Sequence, residues 1–217
     1  MLLPFCILWR EDRMKKYVVL IVAVLLLIVD IRVPAVAYPV FEEFRTEAPE
    51  TVDLIINHVV GDHLRIDLLS DTLGYVLLAI TAIKLIGENT GYRKTLLWSA
   101  FSLGIYIYQN LMPFLLNGNE RFRIGYLIYF VAVFLEAMVI FRAVYPVCTK
   151  LETVENHRYN NITIIILLIS VGTGFVAEAL YFFDLIVLSV IYLIIQLVTM
   201  IVCWYRIFQN RKLLLGE

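Results

Sequence analysis

Three ionisable residues stand four apart in the stretch His63-Leu-Arg-Ile-Asp67-Leu-Leu-Ser70-Asp71. On a helix, that spacing lines an imidazole and two carboxylates along one face. Such a donor set could hold a divalent cation. A metal site also needs ligands from a second element, and none is identifiable, so this is the weaker reading. The plainer one is that Ser70 or Asp71 caps a helix, with Asp71 favoured by the positive N-terminal dipole. The two readings conflict, because a cap at Ser70 leaves Asp67 outside the helix and breaks the shared face.

Further polar groups recur inside apolar runs: Tyr75 one turn after Asp71, then Gln109, Asn110, Glu136, Glu178 and Gln196. An ionisable group at mid-membrane costs at least about 2.5–3.5 kcal/mol, so it faces the bundle interior or a water-filled cavity. Glu136, close to the midpoint of its run, is the strongest candidate. It could carry a proton or bind a cationic group; the alternative is a neutral carboxyl hydrogen-bonded to Gln196 or a backbone carbonyl. Glu178 lies in line with Ser170 and Gly174, a small-xxx-small face for close helix packing, which turns it into the bundle. Gln109, Asn110 and Gln196 read more readily as interhelical hydrogen-bond partners. Pro113 cannot donate to the Gln109 carbonyl, so a kink is expected there.

The elements that must position these groups follow from composition. Of 217 residues, 61% are hydrophobic and 17% charged, against about 45–50% and about 25% in a soluble domain. The excess comes in blocks long enough to cross a bilayer, which takes roughly 20 apolar residues per helix. The expected fold is all-α: a polytopic membrane helix bundle of about six transmembrane helices in one domain. A basic N-terminus covers 1–16, and Met14-Lys-Lys reads as a second possible start. The first span is 17–38. Its alternative is a secretory signal, with a 13-residue apolar core (Tyr17–Val29) and Ala35-Val-Ala37 as cleavage site; Asp30 and Arg32 fit that awkwardly. An acidic extracytoplasmic loop, 39–66, follows, with an amphipathic helix expected over Thr51–His63. Spans 68–86, 95–116, 124–145, 162–182 and 184–205 complete the bundle before a tail at 206–217. Turn chemistry separates them at Gly87-Glu-Asn89-Thr-Gly91, Asn117-Gly118-Asn119, Pro146 and Asn160-Asn161.

Orientation follows from the positive charges. With six crossings and the N-terminus inside, 13 Lys and Arg fall inside and 5 outside, so both termini are cytoplasmic. Placing the polar groups by depth then gives an acidic vestibule opening outward, with Asp71 at its rim and Glu136 at its base. Lys84 and Arg142 lie near the inner edge, where both can snorkel.

A net charge of -1 offers no basic field for nucleic acid. Cys6, Cys148 and Cys203 show no metal-site or disulfide spacing. No cofactor motif and no catalytic signature is visible. The first functional expectation is a small plasma-membrane protein of bacterial type that transports or lets through a cation, a proton or a small basic solute. A homo-oligomer suits so small a transporter. The second is a non-enzymatic sensor or assembly subunit using loop 39–66 as its partner surface. The third is an intramembrane enzyme using Asp67, Asp71, Glu136 or Glu178.

Overall fold

Apolar runs become helices wherever they exceed about four turns. Six helices form among the described residues: α1 (Leu3–Ile28), α2 (Asp71–Leu85), α3 (Tyr92–Leu115), α4 (Gly118–Lys150), α5 (His157–Phe182) and α6 (Ile186–Gln209). Two short strands, β1 (Arg32–Ala37) and β2 (His63–Asp67), complete the set. The computed structural model describes residues 3–29, 32–37, 63–67, 71–115, 118–150, 157–182 and 185–210. Among the described residues, three segments have the length and apolar composition to cross a membrane: Leu127–Lys150, His157–Leu180 and Val187–Gln209. They mark the chain as a membrane protein. Their outward residues, among them Phe134, Ile165, Leu168, Val187, Ile194 and Ile201, are large, apolar and exposed, which suits contact with lipid.

The first expected span is differently built. Its helix begins at Leu3 and stops at Ile28, and residues 32–37, expected to be helical, form β1. Pro34 explains the change. It pushes the residue before it into the extended region, and a two-stranded ribbon has only edges, where proline is tolerated. The partner strand corrects a second expectation. His63-Leu-Arg-Ile-Asp67 alternates polar and apolar, the period of a strand, and it pairs antiparallel with β1 from Arg32↔Asp67 to Ala37↔His63. The register shifts between Pro34 and Val36, a bulge around Ala35. His63 and Asp67 therefore share no helical face with Asp71, which opens α2. The amphipathic helix expected over 51–63 falls on residues 51–62, outside the described residues, and on His63, which starts β2.

Two expected breaks are also absent. Asn160-Asn161 lies inside α5, and α4 runs through Pro146 to Lys150. Proline removes one N–H from the helix and leaves the carbonyl four residues back, Arg142, without its usual donor. The hydroxyl of Thr95, on α3, donates to that carbonyl instead. The carbonyl of Pro146 itself accepts from Asn89 Nδ2 at 2.9 Å and from Thr149 Oγ1 at 3.1 Å. Gly91 lets the α2–α3 turn lie on the proline ring, since a Cβ there would stand 3.2 Å from Pro146 Cγ. A neighbouring turn thus does the work that would otherwise end the helix. Helix α3 likewise continues through Pro113 to Leu115.

Packing follows chain order. Each helix packs on the next from α1 to α2, α2 to α3, α3 to α4, α4 to α5 and α5 to α6, and α1 returns to touch α4. Gly74 sets the closest approach of α1 and α2: a Cβ there would meet Leu27 Cδ2 at 2.8 Å and the Ala23 carbonyl at 3.3 Å. The α5–α6 hairpin closes through Ser170, whose hydroxyl donates to the Gln196 carbonyl at 2.9 Å, as the small-residue face predicts. At its far end the Arg206 guanidinium lies 3.8 Å from the Tyr159 ring centroid and donates to the Tyr159 carbonyl and the Thr163 hydroxyl, both at 3.1 Å. The core between α1, α2 and α4 is apolar, with Leu20, Ala23, Leu27, Leu78, Ala82 and Val139 buried.

Candidate functional site

Helix α2 is the shortest of the six, fifteen residues or about 22 Å, against a hydrocarbon core of roughly 30 Å. Its first residue, Asp71, is only 2% exposed. The positive end of this helix is therefore covered, and it favours negative charge around it. Asp71 stands fourteen residues from the Leu85 end of α2 and Glu136 fourteen from the Lys150 end of α4, both about 21 Å. Those two ends are tied together through Glu88 and Lys150. By this count Asp71 and Glu136 stand at similar heights above that tie.

Around this level lies a cavity of about 30 Å³ that Asp71, Tyr75, Gln109, Glu136 and Glu178 line together. Five of the residues singled out in the sequence therefore meet. Ser102, Tyr106 and Tyr129 join them and were not anticipated. A second cavity of about 20 Å³ shares Glu136 and Glu178 with the first and adds Gln196. Glu136 stands on the wall common to both. The side chain of Asn110 lies outside the described residues, as do those of His63 and Asp67.

The upper part of the wall is fixed by Tyr129, whose hydroxyl donates to Glu178 Oε2 at 3.0 Å and to its carbonyl at 3.3 Å. The Tyr75 and Tyr106 rings face each other with centroids 6.2 Å apart. Gln196 is set by packing: its side-chain amide lies against Gly174, where a Cβ would collide with it. No Lys, Arg or His is among the described residues lining either cavity. No three His, Cys, Asp or Glu side chains among the described residues are grouped so as to hold a metal ion. At about 10–15 Å³ apiece, the smaller cavity has room for one or two water molecules and the larger for two or three. What such a wall can do is hold water and exchange protons, or pass a small cation by way of water.

A second polar cluster, at the C-terminal ends of α2 and α4 and against the middle of α1, escaped the sequence reading. Glu88 in the α2–α3 turn accepts from Lys150 at 2.7 Å, Tyr17 at 3.2 Å and Lys16 at 3.3 Å, and Lys150 also donates to Tyr17 at 3.1 Å. Burial pushes the Glu88 carboxyl up, but the hydrogen bond and charge of Lys150, then those of Lys16, outweigh it and hold the carboxyl below its ordinary 4.5. The only sequence signal was the excess of Lys and Arg at this end. Glu88 itself looked like part of a turn.

The chain matches no protein-family model, no curated protein and no solved structure.

Proposed function

We propose that all six helices cross a membrane, with both termini on the cytoplasmic side, and that the chain carries a small cation or a proton across a bacterial-type plasma membrane. One observation supports this reading most: three carboxylates from three helices, Asp71, Glu136 and Glu178, line one cavity. Asp71 is buried and Glu136 and Glu178 are half-buried, and acidic side chains gathered within an apolar bundle concentrate a negative potential that attracts a cation or a proton. The cavity volumes favour an ion or proton moving with water over an organic solute. The positive charges of the sequence favour the orientation, since the Lys16, Lys150 and Arg206 end is the inner one under the charge rule.

Flux in proteoliposomes tests the proposal. Purified protein is reconstituted with an entrapped pH dye, and a potassium diffusion gradient is imposed with valinomycin, with sodium and potassium fluxes read in parallel. Wild type should move protons or one of these cations faster than empty liposomes, and Glu136→Gln should return the rate to background while eluting as a single folded species. Equal rates in wild-type and empty liposomes, or an unimpaired Glu136→Gln, would overturn it.

A further inference from the structure

Along one face of α3 stand Thr95, Ser99, Ser102, Tyr106 and Gln109, at the three- and four-residue steps that keep side chains on one side of a helix. The cavity shows where that face points. Ser102, Tyr106 and Gln109 line it with Tyr129, Ala132 and Glu136 of α4. Toward the other end of the same pair of helices, the Thr95 hydroxyl donates to the Arg142 carbonyl. Ser99 falls between these two anchors. The face therefore stays within the α3–α4 interface from the cavity to Arg142, seven residues of α3 or about 10 Å. Ser99 is fully buried and Ser102 is 3% exposed. Neither hydroxyl has a hydrogen-bond partner among the described residues, and neither has the buried Nε of Arg142. Thr163, Thr173 and Thr199, by contrast, return their hydroxyls to carbonyls of their own helices, and Ser170 donates across to α6. A buried polar group without a partner costs about 1–3 kcal/mol, a cost that alanine, which packs as closely as serine, would avoid. Water is the partner that fits a narrow polar interface, and beside Ser102 the cavity of about 30 Å³ already has room for it.

We propose that the α3–α4 interface is an aqueous seam, which leads water from the cavity past Ser102 and Ser99 to Arg142 and forms the inner half of the transport route. The route rests on the transport reading above; the water does not. Beyond Arg142 the seam is closed by packing, since the α2–α3 turn lies on Pro146 so closely that a Cβ on Gly91 would stand 3.2 Å from Pro146 Cγ. The fixed charge of Arg142 makes this closed end the barrier that a cation meets last. Ser99 and Ser102 are positioning residues: they hold water and exchange nothing themselves.

Thiol exchange in heavy water, read from the infrared S–H band of the full chain in nanodiscs, tests the seam with a probe the size of water. The difference spectrum between Ser99→Cys and wild type isolates the introduced thiol from the native Cys148 and Cys203, which are both buried. The band should be lost from Ser99→Cys and from Ser102→Cys faster than from Leu78→Cys, which lies in the apolar core. Wild type gives a reading without any substitution: the backbone amides of 96–106 in α3 should exchange faster than those of 190–200 in α6. Introduced thiols no faster than Leu78→Cys, or α3 amides as slow as those of α6, would overturn the seam. Flux then separates the route from the water. Ser99→Leu, which fills the interface, should abolish flux in proteoliposomes while eluting as a single folded species, and unchanged flux would overturn the route. Exchange at Ser99 with no flux in wild type removes the transport reading and leaves the water. Flux in wild type with no exchange at either serine position removes the seam and leaves transport.

Discussion

Replacing Glu88 by glutamine keeps the size of the side chain and removes its charge, leaving Lys16, Lys150 and Tyr17 to share a neutral acceptor. The Lys150 contact is short, at 2.7 Å, with side-chain exposures of 21% for the lysine and 13% for the carboxylate. A charge-assisted bond of this kind contributes about 1.5–3 kcal/mol. The Lys16 contact is longer and its side chain is 30% exposed, which brings it to the surface-pair value of about 0.2–1 kcal/mol. Glutamine still accepts from one donor and both ammonium groups can turn to water, so the net loss is about 1–2 kcal/mol. For a chain of this length that lowers the unfolding midpoint by about 2–8 °C. The assay is thermal unfolding in detergent, followed by tryptophan fluorescence, for wild type, Glu88→Gln, Lys150→Met and the double variant. The cycle should return a coupling of about 1 kcal/mol. Acidification gives an independent check. Because the folded carboxyl is held below its ordinary 4.5, its contribution is complete above that value and is lost as pH falls through the lower folded one. The gap between wild type and Glu88→Gln should therefore be widest at neutral pH and close in acid. Additive single variants, or a gap indifferent to acid, would refute the reasoning.

Other outcomes follow from the packing and the cavity wall. Thr95→Val leaves the Arg142 carbonyl without a donor and should cost about 1–3 kcal/mol in the same melting assay; Pro146→Ala, which restores a helical N–H, should recover most of it, and no recovery would mean the hydroxyl acts elsewhere. Gly74→Ala overpacks the α1–α2 contact and should cost about 1–3 kcal/mol. Adding Leu27→Ala should reduce that penalty, and a larger loss in the pair would show the clash is not with Leu27. Tyr129→Phe removes the bond to Glu178 at a cost of about 1–3 kcal/mol and should shift the pH dependence of proton flux; an unshifted profile would make the tyrosine a spacer only.

What the sequence disclosed was governed by rarity. Glu136, Glu178 and Asp71 stand out because carboxylates are scarce in apolar helices, and the structure lines one cavity with all three. Ser102, Tyr106 and Tyr129 share that wall, yet serine and tyrosine are too common in such helices to attract notice. The His63–Asp67 misreading has a different cause. A spacing of four fits both a helix and a strand, and the alternation of Leu64 and Ile66 with polar neighbours was the discriminating signal. Pro146 was read as a break because its compensation comes from Thr95 and Asn89 on other elements. Glu88 was invisible for a similar reason: its partners lie 62 to 72 positions away, beyond any local pattern.

The Thr95–Arg142–Pro146 arrangement bears on how this chain can vary over generations. A proline at 146 is tolerable only while position 95 supplies a hydroxyl and position 91 leaves room for the ring. The three sites are therefore open to exchange together and nearly closed to exchange singly. Diverged copies should fall into two groups: one that keeps proline with Ser or Thr at 95 and Gly at 91, and one that has lost the proline and is free at both other positions. A library randomised at 91, 95 and 146 and sorted for folded protein would reproduce that partition in a single round.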